Sequence, residues 1–350
     1  MKKLIILILI LLPAISKECT TFFISNENDK VFGRNYDFQI GRGLLIVNKK
    51  DLVKESPIDK NNNSLKWISK FGSVTFNQFG NQYPMGGMNE TGLVVELMWM
   101  DGTEYPESDS RPALNTLLWI QYQLDNCSSV QEIIDTDPIV RISKSSVPIH
   151  YLVTDKNGNT AAIEFISGKM VYHTSEKIPF KVLTNDFYST SVDYLSQFKG
   201  FGGEKELENS PTSLNRFVKT CKLIKEYNGK SNAIDYSFKV LNDISQPGST
   251  QWSIVYDINK LKIYFRTKES SKIKNIELNK INFNCSSNSK VFDINSDKKG
   301  NIIKKLMDYT ASINYELIKY SFSNIDFLKN TSEENIKALS ILPDSFYCSQ

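Results

Sequence analysis

Cys19 offers more chemistry than any other residue of this chain, because of what precedes it. Residues 1–16 begin with Lys2 and Lys3, continue in an unbroken apolar run over 4–12, and end in Ala14-Ile15-Ser16. A positive start, a short apolar stretch and small residues at the end make a secretory signal peptide. The run is too short to cross a bilayer, so it reads as a removed signal and gives no membrane anchor. Cleavage after Ser16 leaves Lys17-Glu18 as a short propeptide, and its removal makes Cys19 the N-terminus. A thiol beside its own free α-amine carries its own base, since that amine ordinarily titrates near pH ~8.

The residues after Cys19 supply the next charges. Residues 19–25 read Cys-Thr-Thr-Phe-Phe-Ile-Ser, a polar turn spans 26–30, and 31–38 read Val-Phe-Gly-Arg-Asn-Tyr-Asp-Phe. Two β-branched and aromatic runs around a polar turn form a hairpin, which returns Arg34 and Asp37 to the side of Cys19. Arginine near a thiol favours the thiolate, and an aspartate near the α-amine holds it. Taken singly these features are ordinary. A cysteine behind a signal peptide is commonly half of a disulfide, and an isolated charge is commonly solvated. Lipidation is disfavoured because Glu18, directly before Cys19, is not small.

Four motifs in order change that balance. Cys19-Thr20 is followed by Gly33-Arg34-Asn35-Tyr36-Asp37-Phe38, then by Met88-Asn89-Glu90-Thr91-Gly92-Leu93. Leu183-Thr184-Asn185 comes next, and Ser213-Leu214-Asn215-Arg216-Phe217-Val218 comes last. In these motifs the chain resembles the choloylglycine hydrolase family, N-terminal-nucleophile hydrolases of linear amides that include bile salt hydrolases and penicillin V acylases. The resemblance runs from Cys19 to about Thr267. It implies that Cys19 is the nucleophile, its α-amine the base, and Asp37 the partner of that amine. It further implies that Arg34 and Arg216 stabilise charge around the thiolate and the tetrahedral intermediate, and that Asn185 donates to the oxyanion. Bile salt hydrolases carry Asn, and penicillin V acylases Tyr, ten residues beyond the turn asparagine. Here that position is Trp99. The resemblance to penicillin V acylases implies a second oxyanion donor in its backbone N–H, and a tryptophan flanked by Met98 and Met100 suits a pocket for an apolar or aromatic acyl group.

These residues need a scaffold. Strands read at 20–25, 31–35, 44–48, 73–76 and 93–99, and again at 149–154, 160–165, 170–174, 181–184, 252–257 and 262–267. Helices read at 112–126, 129–135, 213–227 and 233–244; in the third, Leu214, Phe217, Val218 and Cys221 share one face. Ser213 is the expected cap of that helix. The pattern is α+β, and the resemblance implies the four-layer αββα sandwich of N-terminal-nucleophile hydrolases. The hydrolase domain is placed at 19–270. Residues 271–350 form a C-terminal extension of it, read as helical at 301–322 and 332–342, which packs back on the domain or forms a homo-oligomer interface.

Composition bounds the rest. With 350 residues, 40% of them apolar and 23% charged, the chain can bury a large core. A net charge of +3 gives no nucleic-acid footprint. The two histidines, His150 and His173, lie in expected strands and outside any metal-ligand spacing, so each reads as a structural side chain, and no metal or cofactor is called for. Of the five cysteines, Cys127, Cys221, Cys285 and Cys348 remain after Cys19. They allow two disulfides, with Cys285–Cys348 preferred and Cys221 equally suited to a buried apolar site. The function these features imply is an exported amidohydrolase, secreted, periplasmic or lysosome-like, acting on a small-molecule amide through an acyl-enzyme on Cys19. One alternative is a lipid-amide hydrolase of the acid ceramidase or N-acylethanolamine amidase type. Another is a catalytically silent secreted binding protein in which Lys17-Glu18 is retained.

Overall fold

The computed structural model describes residues 18–57, 64–208 and 210–349; the signal-like segment and Lys17 lie outside them. Two sheets stack at the centre. The first runs, in spatial order, Val182–Leu183, Thr20–Ser25, Lys30–Asp37, Thr250–Asp257, Lys262–Thr267, Lys274–Glu277 and Gly300–Asn301. The second runs Lys169–Thr174, Thr160–Ile166, Ile149–Thr154, Val94–Trp99, Pro84–Asn89, Ser73–Asn77, Leu44–Asn48, Lys290–Asp293 and Met307–Asp308. Helices follow the chain as α1 (Thr116–Asn126), α2 (Val130–Ile134), α3 (Tyr188–Leu195), α4 (Ser213–Glu226), α5 (Ala233–Asp243), α6 (Ala311–Ser323) and α7 (Glu333–Ile341). Helices α4 and α5 cover the outer face of the first sheet, and α1 covers the second. The result is the expected αββα sandwich.

Strands in the middle of such a sandwich are covered on both faces, so their sequences do not alternate. Thr20–Ser25 has five consecutive buried residues and Lys30–Asp37 has seven. The sheets are joined through aromatic rings, with Phe76 of the second against Phe265 of the first at 5.2 Å between centroids. Gly33 faces Phe22 across the hairpin, and a side-chain carbon there would run into the Phe22 ring. The glycine of the Gly-Arg-Asn motif is therefore a packing requirement. Asn89 of the Met-Asn-Glu motif is also structural. Its Oδ1 accepts from the Thr91 and Leu93 backbone N–H groups at 3.1 Å each, and its Nδ2 donates to the carbonyls of Leu124 and Cys127 at 3.0 and 2.8 Å.

The C-terminal extension differs from a simple helical tail. Helices α6 and α7 form, but Lys274–Glu277 and Lys290–Asp293 are strands, one in each central sheet. Short strands of four residues leave too little periodicity to be read in advance. Cys285 and Cys348 form the preferred disulfide, with Cα atoms 5.6 Å apart. Cys127 and Cys221 remain buried thiols and form no second bridge.

Candidate active site

The hairpin sets the site. Its register pairs Thr21 with Arg34 and Thr20 with Asn35, which brings the end of the second strand to Cys19. Cys19 is buried, and its Sγ lies 3.9 Å from the carbonyl oxygen of Asp37. Burial raises the thiol above its usual range; Arg34 works against this and Asp37 adds to it.

Arg34 is not a free cation. Its guanidinium pairs with Glu96 on the second sheet and donates to the carbonyls of Met85 and Leu97. Glu96 also accepts from the Tyr256 hydroxyl, and burial lifts its carboxyl to about 7 against the pull of both partners. The neighbouring Gly86 has φ +156°, and a Cβ there would collide with the Glu96 carboxylate. The expected effect of Arg34 on the thiol is thus only partial, because its charge is shared with a buried acid.

Asp37 is held on one side only. Its Oδ1 accepts from the Thr250 hydroxyl, while its buried Oδ2 has no hydrogen-bond partner among the described residues. Burial pushes its carboxyl up to about 7; Thr250, Arg216 and Arg34 favour the anion, and Glu18 opposes it. Between the unfolded value near ~3.9 and the folded value the native chain holds the extra proton, so this group's contribution to stability declines as pH rises through that window. In protein that retains Glu18, Asp37→Asn should therefore be more stable than wild type at pH ~8, on the order of a few kcal/mol, and equal to it near pH ~4. Urea unfolding of both at the two pH values measures this; an offset that does not change with pH would refute it.

Arg216 organises the other side. It sits in the first turn of α4, whose cap is Thr212 and not the expected Ser213. Ser213 instead accepts from the Asn185 backbone N–H at 2.8 Å and donates to the Thr184 hydroxyl at 3.1 Å. The arginine donates to the carbonyl of Cys19 at 2.8 Å, to the Thr20 hydroxyl, and to Asn185 Oδ1 at 2.8 Å. It also donates to the Pro211 carbonyl at 3.1 Å and to the Glu18 carboxylate at 3.0 Å, which Gln246 holds as well at 3.1 Å. Asn185 is thereby oriented with its Nδ2 donating to the Trp99 carbonyl at 2.7 Å. The side chain expected to serve an oxyanion is at the expected place beside Trp99, fixed by its oxygen.

The predicted pocket trio divides. Along Val94–Trp99 alternate side chains face opposite sides. Glu96 and Met98 turn to the first sheet, Met98 meeting the Thr21 hydroxyl at 3.4 Å, while Leu97 and Trp99 line a cavity of about 520 Å³ that opens at Cys19. Met98 and Met100 are fully buried and do not line it, which corrects the expectation that both form the acyl pocket. Tyr36, Asp37, Met85 and Leu118 line the cavity as well.

Both histidines are structural, as expected. His150 Nε2 donates to the Thr184 carbonyl at 2.8 Å, and Glu164 lies between the two rings, 3.4 Å from His150 and 3.2 Å from His173. Among the described residues no cluster of acidic, Cys and His side chains could hold a metal, and no helix is long and apolar enough to cross a membrane. The residues missed in the sequence are Glu96, Tyr256, Thr250 and Gln246. Only Glu96 left a signal, as a lone acid inside the apolar run 93–98.

Comparison with known proteins agrees with this geometry. A family model for linear amide C–N hydrolases of the choloylglycine hydrolase family matches residues 19–291. The penicillin V acylase of Pectobacterium atrosepticum is 27% identical over 263 residues, 63% of this chain and 69% of that protein. The bile salt hydrolase/transferase of Lactiplantibacillus plantarum is 24% identical over 314 residues, 75% of this chain and 92% of that protein. Among solved structures, a penicillin V acylase from Agrobacterium tumefaciens superposes with a TM-score of 0.72 at 25% identity, covering 83% of this chain and 98% of its own. The match begins at the very cysteine around which the cavity, Asp37, Asn185 and Arg216 converge, and this chain belongs to the choloylglycine hydrolase family of linear amide C–N hydrolases.

Proposed function

We propose that this protein is an exported amidohydrolase that works through an acyl-enzyme on Cys19 once residues 1–18 are removed. The observation that carries the reading is the buried Asp37 Oδ2, which has no hydrogen-bond donor among the described residues and belongs to a residue whose backbone carbonyl lies 3.9 Å from Cys19 Sγ. A buried carboxylate oxygen needs a cation or a donor. An α-ammonium on Cys19 supplies one, and Asp37 then orients the base. The disulfide between Cys285 and Cys348 fits an oxidising compartment, as the signal-like start does.

In this mechanism the α-amine takes the thiol proton and the thiolate attacks the amide carbonyl. Asn185, oriented by Arg216, donates to the oxyanion, a contact worth roughly 3–4 kcal/mol in comparable sites. The ammonium then gives its proton to the departing amine. Water, activated by the same amine, cleaves the thioester and frees the acid. Arg216 also holds the Cys19 carbonyl, so the nucleophile and the oxyanion donor are set by one guanidinium. Rapid quenching in acid during turnover of an N-acyl amide should give an intact mass raised by one acyl group, mapped to the Cys19 peptide. An acyl group on another residue, or turnover with no adduct on Cys19 under burst conditions, would contradict the proposal.

A further inference from the structure

Part of the wall of the cavity at Cys19 comes from residues beyond the segment that the family model matches. Phe322, Phe327, Leu328 and Leu339 of the α6–α7 hairpin line it, whereas the match ends at residue 291. The hairpin is firmly docked. Ser321 donates to the Gln78 carbonyl at 2.6 Å, and Asn314 accepts from the Asn81 backbone N–H at 2.7 Å. The other end of the Asn314 amide ties α6 to α7 through the Ser340 carbonyl at 2.9 Å. Beneath it, Phe322, Phe79, Phe38 and Tyr36 form a continuous file of rings that leads to the cysteine. Tyr36 donates to Gln78 at 2.7 Å, so the side chain next to the nucleophile and the loop under α6 share one residue. The Cys285–Cys348 disulfide returns the end of the chain to the domain.

We propose that this hairpin is an acyl-binding wall and that the cavity it completes seats a medium- to long-chain fatty acyl group. The proposal rests on the Cys19 acyl-enzyme reading. At about 520 Å³ the cavity lies within the range of sites that enclose a whole drug-sized ligand, and a small aromatic acyl group would leave much of it unfilled. Among the described lining residues the only charged side chain is Asp37, a carboxylate, so an anionic acyl group finds no counter-ion. Aliphatic and aromatic walls reward length instead, by about fourfold for each methylene taken from water. Phe327 lines the cavity yet is 54% exposed, which puts it at the rim where a long chain would emerge.

The test uses amides of one amine carrying acetyl, octanoyl and palmitoyl groups, with kcat/KM read for the mature wild type, Leu328→Trp and Leu339→Trp. Both leucines are half-buried, so the added ring projects into the cavity at two independent positions. Wild type should favour octanoyl over acetyl by about several thousandfold, six methylenes at about fourfold each. Each tryptophan should cut the long-chain value by about tenfold or more and leave the acetyl value within about twofold. A flat wild-type profile, or equal losses at every length, would overturn the proposal. Binding of the fluorescent fatty acid cis-parinaric acid to Cys19→Ala, with and without Leu339→Trp, separates the two readings. Fatty-acid binding lost to the tryptophan, with no amide cleaved by wild type, would keep the wall and reject the nucleophile. Cleavage of acetyl amides with a flat profile and no fatty-acid binding would do the reverse.

Discussion

Cys19→Ala should fold and retain substrate binding but lose amide hydrolysis by about 10⁶-fold in kcat, the scale seen when a covalent nucleophile is deleted. The loss is expected in kcat because the thiol contributes the bond that forms, and little of the surface that binds. Cys19 is buried beside Asp37, so trading its sulfur for hydrogen leaves only a small void and should cost the fold little. Cys19→Ser is the sharper variant. It keeps a nucleophile of the same shape with a far higher pKa, and its activity should also be near background. Steady-state kinetics with thermal unfolding as the folding control gives the result. Hydrolysis by Cys19→Ala within about tenfold of wild type would remove Cys19 from the mechanism.

Glu96→Ala carries the largest expected loss of stability. Arg34 and Glu96 are both fully buried, and removal of the acid leaves a guanidinium between the sheets that keeps the Met85 and Leu97 carbonyls and the Tyr36 ring but no counter-charge in direct contact. Breaking one half of a buried ion pair costs about 3–5 kcal/mol, because the survivor stays desolvated without compensation. Against a total of roughly 5–15 kcal/mol for a native domain, this is a large share. At the roughly 2–4 °C per kcal/mol typical of larger domains, thermal unfolding should move down by about 10 °C. The pair also crosses between the two central sheets, so the same change loosens the floor beneath Cys19. The double variant Arg34→Met/Glu96→Leu should recover most of the stability, since two apolar side chains replace two buried charges. A Glu96→Ala protein within about 0.5 kcal/mol of wild type would show that Arg34 finds solvent or another partner.

What the sequence makes legible depends on how local each signal is. Arg34 and Asp37 were legible beside Cys19 because a polar turn between two apolar runs fixes a register, and the register fixes the neighbours. Asn185 and Arg216 lie far from Cys19 along the chain and close to it in space; only the resemblance to a family joined them. Glu96 escaped because its partner is 62 residues away, and nothing in the run Val94–Trp99 says which residue the acid meets. Met98 and Met100 were placed in the pocket by composition, but strand geometry turns alternate side chains to opposite faces, and theirs is the wrong one. Helices α6 and α7 could be read from the sequence, yet their use as a cavity wall could not. That use depends on where the loop around Gly80 presents its backbone, and Ile318 and Asn314 of α6 lie close against that glycine.

The proposed mechanism requires that Cys19 become a free N-terminal residue in the working enzyme. Intact mass and N-terminal peptide sequencing of the secreted, active protein test it directly. The expected chain starts at Cys19, with a free α-amine beside the thiol. A protein that hydrolyses amides at full rate while starting at Lys17 or Glu18 would contradict it, because the base would then be locked in a peptide bond.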